Sequence, residues 1–492
     1  MLGQVAGWEV TQASSDSTAL PASARFGTAI WNKRSKIQTW TADSRGFTRR
    51  VVVPHRRHCY AFTNMRSRVE PGLTTAGRDR HKGRMTMRYL AKPAFLPAVT
   101  AAVLLAAVPA MAQDDRAWLE DLDPMTLRLA DFSGDDTANF GRAMVAWEEA
   151  VTEFTEGKIT FENYWSSSLL GAIDTLEGVG DGVADIGLII PSYMPAQLPV
   201  SSWLFGTGAA LSGSTVHDVA AGGATALETV LTFEPLTQEY ASHNVRVLQA
   251  TATPAYNLLC NTPITSVEDA QGLRARAIGA VWSQSVEALG MTPVSIAWGE
   301  AYEGLQRGVF ECMVINPNQY VDGLVLQDVA PEYVPVTMAQ LQASTWVINL
   351  DTWNSFPPEL QEFMIEQSVA AAYDIWQGYL QIEADAGDLI ASGGVNTNDV
   401  SALEPVVAEQ RAAYVASLAE TAPESVENPE AFVQHYQDRI AYWTGVLEEQ
   451  GYEVAKRTPE AIIEAFAGLR EVDLSEFYAR FTDEMMPELL AE

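Results

Sequence analysis

Apolar and polar residues follow each other along the chain in the way that α/β proteins require. Thr126–Asp131, Lys158–Trp165 and Ala184–Pro191 have the pattern of strands, and the segments between them carry apolar residues at helical spacing. The order strand, helix, strand, helix, strand predicts a parallel sheet with helices on its faces.

A similar order returns further along the chain. The segments with strand patterns are Asn244–Ala250, Tyr256–Asn261, Leu273–Ile278, Thr292–Ala297 and Val309–Asn316. Helical patterns lie between them, including a capped turn at Ser266–Ala270. A second α/β lobe is therefore expected. After it, residues 354–390 predict a long helix, and the apolar spacing from Phe432 to Leu447 predicts a helical C-terminal part.

Charge divides the chain into two parts. The 492 residues contain 31 Lys+Arg and 63 Asp+Glu, for a net charge of -32. Residues 1–113 alone carry a charge of +12, and residues 114–492 carry -44. This acidic balance argues against nucleic acid as a partner, because binding phosphates needs clustered Lys and Arg.

The boundary between the two parts has the pattern of a secretory signal. Arg88 and Lys92 precede the apolar run Phe95–Val108, and Ala110–Ala112 has the small-x-small pattern of a signal-peptidase site. The alternative is a membrane anchor, but the run is shorter than the ~20 residues that span a bilayer. We therefore expect residues 85–112 to be a signal peptide, residues 1–84 to be a non-native or disordered extension, and the exported product to be periplasmic and not membrane-spanning.

Motifs for enzyme chemistry are missing from the remaining sequence. His217, His243 and His435 lie far apart, without the spacing of metal ligands, and the sequence has neither a nucleophile elbow nor a P-loop. No catalytic residue, metal site or cofactor is therefore predicted, and capture of a solute between two lobes is the function that remains. A periplasmic enzyme with an unrecognised carboxylate pair stays an alternative. Cys260 and Cys312 would either pair across a sheet or remain two buried thiols.

Two blocks of sequence, Ser168–Gly187 with Pro191–Tyr193 and Pro263–Gly279 with Gly299–Val309, resemble a known family. They are similar to the solute-binding subunit of tripartite ATP-independent periplasmic (TRAP) transporters, the four-carbon-dicarboxylate-binding family. The resemblance covers residues 126–390, roughly, and implies an α/β, two-lobe, type II-like periplasmic binding protein. Its ligand cleft would lie between the lobes, and a long helix would span both.

The resemblance also implies a division of the chain and a biological role. Lobe I would comprise residues 113–253 plus about 342–385, and lobe II residues 254–341 plus about 386–492, with the C-terminal helices. The protein would be a monomer that captures a small organic anion and delivers it to a membrane permease driven by an ion gradient. A receptor for an ATP-driven (ABC-type) importer, or one that presents ligand to a membrane sensor, stays an alternative.

The family uses an arginine to bind the substrate carboxylate, and Arg276 in the segment Gly272–Arg276 stands at the matching position. Arginine keeps its charge and pairs with a carboxylate through a planar fork of donors. Arg274 would support it from the same strand face. The further ligand contacts predicted are Asn316, Trp165, Trp346 and Tyr193.

Overall fold

The computed structural model describes residues 116–211, 213–342, 344–452 and 462–490. The predicted extension and signal peptide, residues 1–112, lie outside these ranges. The strands are β1 (Met125–Ala130), β2 (Ile159–Tyr164), β3 (Ile186–Ile189), β4 (Val245–Thr251), β5 (Tyr256–Cys260), β6 (Arg274–Arg276), β7 (Thr292–Val294), β8 (Cys312–Ile315), β9 (Glu332–Met338), β10 (Ser344–Asn349) and β11 (Asn396–Thr397). The α-helices are α1 (Trp118–Asp121), α2 (Asn139–Phe154), α3 (Thr175–Gly180), α4 (Pro199–Phe205), α5 (Thr215–Thr232), α6 (Glu234–Ser242), α7 (Val267–Ala270), α8 (Ala280–Ala288), α9 (Ala301–Gln306), α10 (Leu350–Asn354), α11 (Pro358–Ala391), α12 (Glu404–Ser417), α13 (Pro429–Glu449), α14 (Ile462–Gly468) and α15 (Ser475–Leu489).

The first sheet has the strand order β2-β1-β3-β10-β4. β1 pairs in parallel with β2 and β3, as the alternating pattern predicts, whereas β10 is antiparallel to its neighbours β3 and β4. The parallel strands end at Ala130, Tyr164 and Ile189, which share one edge of the sheet. Loops that follow this edge can therefore meet the second sheet.

The second sheet has the order β11-β9-β5-β8-β6-β7. β6 is parallel to β7 and β8, and Arg276 at its end lies beside Met313 of β8. The chain passes between the sheets through residues 252–255 and through a second segment that includes residues 339–342. These two crossing segments are joined to each other, because Thr253 N–H donates to the carbonyl of Leu341 at 3.0 Å and Leu341 N–H donates to the Thr253 hydroxyl at 3.1 Å.

Helix α2 buries the apolar face that its sequence spacing predicts. Met144, Trp147 and Val151 are buried, and the Trp147 indole N–H donates to the carbonyl of Met364 in α11 at 3.1 Å. Burial of each such side chain contributes roughly 1.5–3 kcal/mol. These buried side chains therefore hold α2 between the first sheet and α11.

Helix α11 runs for 34 residues and contacts both lobes. It packs on α2, α5 and β4 of the first lobe and on the turn Pro317–Tyr320, which follows β8 of the second sheet. Its Trp376 indole N–H donates to the hydroxyl of Thr251 at 2.9 Å. The long lobe-spanning helix expected from the sequence is present.

The C-terminal helices divide between the lobes. α12 packs on α8 and β9 of the second lobe, whereas α13 packs along α5, and α15 on α5 and α11. Aromatic rings account for the second set of contacts: the Phe481 ring lies 5.3 Å from that of Trp443 and 5.8 Å from that of Trp376. The predicted division, which places residues 386–492 with lobe II, does not match the contacts of α13 and α15.

Cys260 and Cys312 stand directly opposite each other on β5 and β8 and form a disulfide. The register of the two strands thus decides a question that the sequence leaves open. None of the helices in the described ranges is long and apolar enough to cross a bilayer.

Candidate functional site

Arg276 is buried at the point where the two sheets face each other. Its side chain ends β6, and the residue is only 3% exposed. Nε donates to the carbonyl of Ile296 at 2.8 Å, and Nη2 donates to the hydroxyl of Tyr193, from the first lobe, at 3.3 Å. The guanidinium carbon lies 5.9 Å from the centre of the Trp298 ring. These contacts fix the guanidinium in one orientation.

No Asp or Glu among the described residues lies within ion-pairing distance of this guanidinium. A buried charge normally has a paired partner, because removal from water is costly. Arg276 has five N–H donors, and the two hydrogen bonds above account for two of them. The arrangement therefore presents a fixed cation that can bind an anion.

The first lobe meets Arg276 through the 3₁₀ turn Pro191–Tyr193, which directly follows β3. The Tyr193 ring lies 6.2 Å from that of Phe132, at the end of β1. The neighbouring Ser192 is buried, and its hydroxyl oxygen has no partner within the described ranges. A serine or tyrosine hydroxyl donates readily to a carboxylate.

Gly279 allows the chain after β6 to pass close to the first lobe. Its φ is +104°, and a Cβ there would stand 2.9 Å from the Phe205 ring and 3.5 Å from the Cβ of Ser192. A larger residue would meet both the backbone restriction and this crowding. The close approach keeps the end of β6 against the turn that carries Tyr193.

Asn316 lies at the same edge as Arg276, directly after β8. It is 3% exposed, and its Oδ1 has no hydrogen-bond partner in the part of the chain that the structure describes. Leaving a buried acceptor unpaired costs about 1–3 kcal/mol. This oxygen is therefore suited to receive a donor from a bound molecule.

Asp131 occupies the corresponding edge of the first sheet, directly after β1. It is buried, and its Oδ1 accepts hydrogen bonds from the N–H and the hydroxyl of Ser133 at 2.6 and 2.7 Å. Burial raises the pKa of this carboxyl, and the bonds from Ser133 oppose that rise. An acidic side chain, Asp131, therefore lies at the edge of the first sheet that faces the second sheet.

Aromatic rings form the wall between these polar groups. The Tyr256 ring stacks on that of Trp282 at 4.3 Å, and the Trp282 ring meets Phe205 edge-on at 4.8 Å. Burial raises the pKa of the Tyr256 hydroxyl, and the charge of Arg276 lowers it in part. Tyr256 thus belongs to the surroundings of the cation.

The predicted site residues are only partly brought together. Arg276, Tyr193 and Asn316 lie at the facing edges of the sheets. Arg274 is 44% exposed at its side chain and is paired with Glu311, with Nη2 and Oε1 2.5 Å apart, so it does not support Arg276. This pairing holds the pKa of the Glu311 carboxyl below its usual range.

The two predicted tryptophans differ in position. Trp165 follows β2 at the cleft edge and is half-buried. Trp346 is fully buried and lies opposite Gln249, on the face of β4 that also carries Thr251, the residue bonded to Trp376 of α11. Since side chains alternate along a strand, Trp346 points to the α11 side of the sheet and into the first lobe.

Sequence reasoning missed Ser192, Phe132 and Asp131 as members of this edge. Their positions directly after parallel strands were the available signal, because ligands of α/β sheets bind at the carboxyl ends of strands. Within the described ranges, no group of three His, Cys, Asp or Glu side chains could hold a metal ion. A cavity of about 500 Å³ between α6 and α13, lined in part by Phe233, Gln238 and His435, shares no residue with the Arg276 site.

Comparison with known proteins identifies relatives of the whole two-lobe region. The model of the bacterial extracellular solute-binding protein family 7 matches residues 129–420. A solute-binding protein of Roseobacter denitrificans is 28% identical over 318 residues, which cover 62% of this chain and 89% of the relative. A solute-binding protein of Sulfitobacter sp. is 26% identical over 238 residues, which cover 47% of this chain and 68% of the relative.

Solved structures show the same fold. A TRAP periplasmic solute-binding protein from Bordetella bronchiseptica, with bound (R)- and (S)-mandelate, aligns with a TM-score of 0.56 at 20% identity. The alignment covers 65% of this chain and 99% of that one. A TRAP solute-binding protein from Rhodoferax ferrireducens, in complex with copurified benzoate, aligns with a TM-score of 0.55 at 17% identity, covering 65% and 99% of the two chains.

Proposed function

Because the chain belongs to the bacterial extracellular solute-binding protein family 7, we propose that it is the solute receptor of a TRAP transporter. It captures an organic acid between its two lobes and delivers it to a membrane permease driven by an ion gradient. The protein works in the periplasm, to which residues 85–112 direct it as a signal peptide. It acts as a monomer and catalyses no reaction.

The observation that carries this proposal is the buried guanidinium of Arg276, which has no ion-pair partner among the described residues. In a body with a charge of -44, an anion is repelled unless a specific cation receives it. Arg276 receives the carboxylate, and Tyr193 contributes its hydroxyl from the opposite lobe. The ligand thus contacts both lobes at once, which favours the closed form.

The alternatives have less support. A receptor for an ATP-driven importer would be expected to resemble a different family, and the relatives found here are solute-binding proteins of the TRAP type. An enzyme would need a nucleophile, base or metal beside Arg276. The edge presents amide, hydroxyl and aromatic groups together with the Asp131 carboxyl, whose Oδ1 already accepts two hydrogen bonds from Ser133.

Calorimetric titration with mono- and dicarboxylates tests the receptor role. At a concentration of 100 times its Kd, a bound acid also raises the free energy of unfolding by about 2.7 kcal/mol. Arg276→Ala should weaken binding by about 2–5 kcal/mol, that is, at least ~30-fold in Kd. Arg274→Ala, on the same strand but paired with Glu311, is the matched control and should bind like the wild type.

The results separate the receptor role from the site. Binding of no organic acid at all contradicts the receptor role. Equal binding by wild type and Arg276→Ala contradicts the site while leaving the role intact. The partner can be tested separately: neighbouring genes for a two-part membrane permease support a TRAP system, whereas a neighbouring ATPase gene supports an ABC importer.

A further inference from the structure

We infer that the site selects monocarboxylates whose far end is a neutral hydrogen-bond donor, and that it rejects dicarboxylates. This inference rests on the proposed function and specifies its substrate class. It follows from the positive charge of Arg276 at the cleft and from the acceptor Oδ1 of Asn316, which has no partner among the described residues.

Among the described residues, the site has one cation. The sequence contains no Lys or Arg between Lys158 and Arg246, or between Arg307 and Arg411. These two stretches include the segments that follow β2, β3, β8 and β9, so none of those segments can supply a second cation at the facing edges. Within the described ranges, the positive charge there comes from Arg276 of β6.

The arginines in the rest of the two sheets are engaged elsewhere. Arg128 pairs with Asp185, with Nε and Oδ2 3.2 Å apart, near the beginning of β3. Arg274 pairs with Glu311, and the Arg246 guanidinium lies 5.0 Å from the centre of the Trp353 ring. None of these side chains is directed to the carboxyl edge of the sheets, so none can neutralise a second carboxylate of the ligand.

Arg142, on α2, does not supply the missing charge either. Its guanidinium donates to the carbonyl of Thr137 and, at 3.4 Å, to the amide oxygen of Asn139. It also acts on the carboxyl of Asp322, whose pKa is raised by burial and lowered in part by Arg142. Arg142 therefore offsets an acid that is already present.

Acceptor oxygens lie on both sides of the cleft. Asn316, beside Arg276 at the edge of the second sheet, contributes an Oδ1 with no partner among the described residues, and Asp131 at the facing edge of the first sheet contributes the carboxyl that accepts from Ser133. A second carboxylate on the ligand would be buried beside these acceptors without a cation to pair with, which disfavours it strongly. An amide or hydroxyl at the same place would donate to Asn316 Oδ1 and carry no charge.

A matched series of ligands tests this selectivity on the unmodified protein. Calorimetry with butanoate, succinate and succinamate compares a methyl group, a carboxylate and an amide at the same end of one carbon skeleton, and pentanoate, glutarate and glutaramate repeat the comparison on a longer one. In the series that binds, the half-amide should bind at least ten-fold more tightly than the diacid, or about 1.4 kcal/mol. A diacid that binds as tightly as its half-amide overturns the inference and leaves the receptor role standing.

If neither the four-carbon nor the five-carbon series binds, mass spectrometry can identify the ligand that the protein carries through purification. A molecule with a single carboxyl group supports the inference, and one with two carboxyl groups overturns it. If the purified protein carries no acid and binds none of a wider set, the proposed function itself is contradicted.

The variant Asn316→Leu tests the acceptor separately. It keeps the branched shape of the side chain and removes Oδ1, so the ratio of the affinity for the half-amide to the affinity for the unsubstituted acid should fall at least five-fold. An unchanged advantage overturns the role of Asn316. Because binding of the unsubstituted acid reports on correct folding, a loss of both affinities would mark a misfolded variant, and the ligand series on the unmodified protein then decides.

Discussion

The Nη2 of Arg276 donates a hydrogen bond to the hydroxyl of Tyr193 at 3.3 Å, and the two residues belong to different lobes. One end of this bond stands on β6, and the other on the turn after β3. The bond therefore joins the cation of the second lobe to the first lobe. A carboxylate placed on Arg276 would contact the same hydroxyl.

Tyr193→Phe should weaken carboxylate binding by about 1.5–3 kcal/mol, or at least roughly ten-fold, because one hydrogen bond to a charged group is lost while the ring is kept. Titration calorimetry of the variant measures the change. Tyr164→Phe, at the end of β2, removes a hydroxyl that interacts with Glu162 and is the control. Equal weakening in both variants would contradict a specific role for Tyr193.

Removal of the disulfide should destabilise the second lobe. The bond joins residues 52 positions apart, and closing a loop of this length stabilises a folded chain by about 2–4 kcal/mol. Urea unfolding of the double variant Cys260→Ala, Cys312→Ala should show this loss. A reducing agent should produce a similar loss in the wild type and no further loss in the variant. If it destabilises both equally, the disulfide is not the cause.

The buried carboxyl of Glu148 should make the free energy of unfolding depend on pH. This residue of α2 is 6% exposed, and burial raises the pKa of its carboxyl from 4.5 to about 7, with the hydrogen bond from Asn163 opposing the shift. Because the folded-state pKa is the higher one, the contribution to stability is fully present below pH 4.5 and is lost as the pH rises through 7. The total loss is about 3 kcal/mol.

Glu148→Gln should remove this dependence, so the variant is more stable than the wild type at pH 8 and similar to it at pH 4.5. Denaturant unfolding at the two pH values measures both differences. Glu153→Gln, at an exposed position of the same helix, is the control and should change neither. A Glu148→Gln variant that gains nothing at pH 8 would contradict the buried charge as the source.

The C-terminal helix α13 should stabilise the segment between the sheets. The Tyr436 hydroxyl donates to Oε1 of Gln342 at 2.8 Å, and Gln342 lies in the crossing segment that includes residues 339–342. Tyr436→Phe leaves a buried acceptor unpaired, so thermal unfolding should show a loss of about 1–3 kcal/mol. Tyr442→Phe, whose hydroxyl is exposed and bonded to Glu484, should cost less than about 1 kcal/mol.

Much of the fold could be predicted from sequence because its elements have strong local patterns. β1, β2, α2 and the capped turn at α7 lie where alternation, helical spacing and capping residues indicate. The capping box is formed by Ser266 and Asp269. Between β2 and β3 the helix expected from the apolar spacing is the short α3, which ends at Gly180 before Gly182, with φ +72°, turns the chain toward β3.

Elements without a local pattern were not predicted. α5 is almost entirely buried and contains the run Ala220–Ala224, so it has no polar face to reveal its period. β9 and β10 are defined by partners far away in sequence. The packing of α13 and α15 on the first lobe depends on contacts between aromatic rings that are far apart in sequence, and no local pattern indicates such contacts.

In the site, too, local sequence motifs could be recognised, whereas contacts between residues far apart in sequence could not be predicted. The motif predicts Arg276 as a ligand contact, and the structure places this residue where the two sheets face each other. The two-residue spacing of Arg274 suggested a shared face, but β6 is only three residues long, and Glu311 on the adjacent segment pairs with Arg274. Trp346 has the residue type of a ligand contact, and only its register with Gln249 places it on the α11 side.

The position of β10 has a consequence for the order in which the chain can fold. In the first sheet β10 lies between β3 and β4, although five strands of the second sheet, β5 to β9, come before it in the sequence. Until residues 344–349 are present, β3 and β4 have no strand between them, and their backbone groups lack these partners. The amino-terminal lobe must therefore wait for the later half of the chain, and neither lobe can be produced by cutting the sequence once.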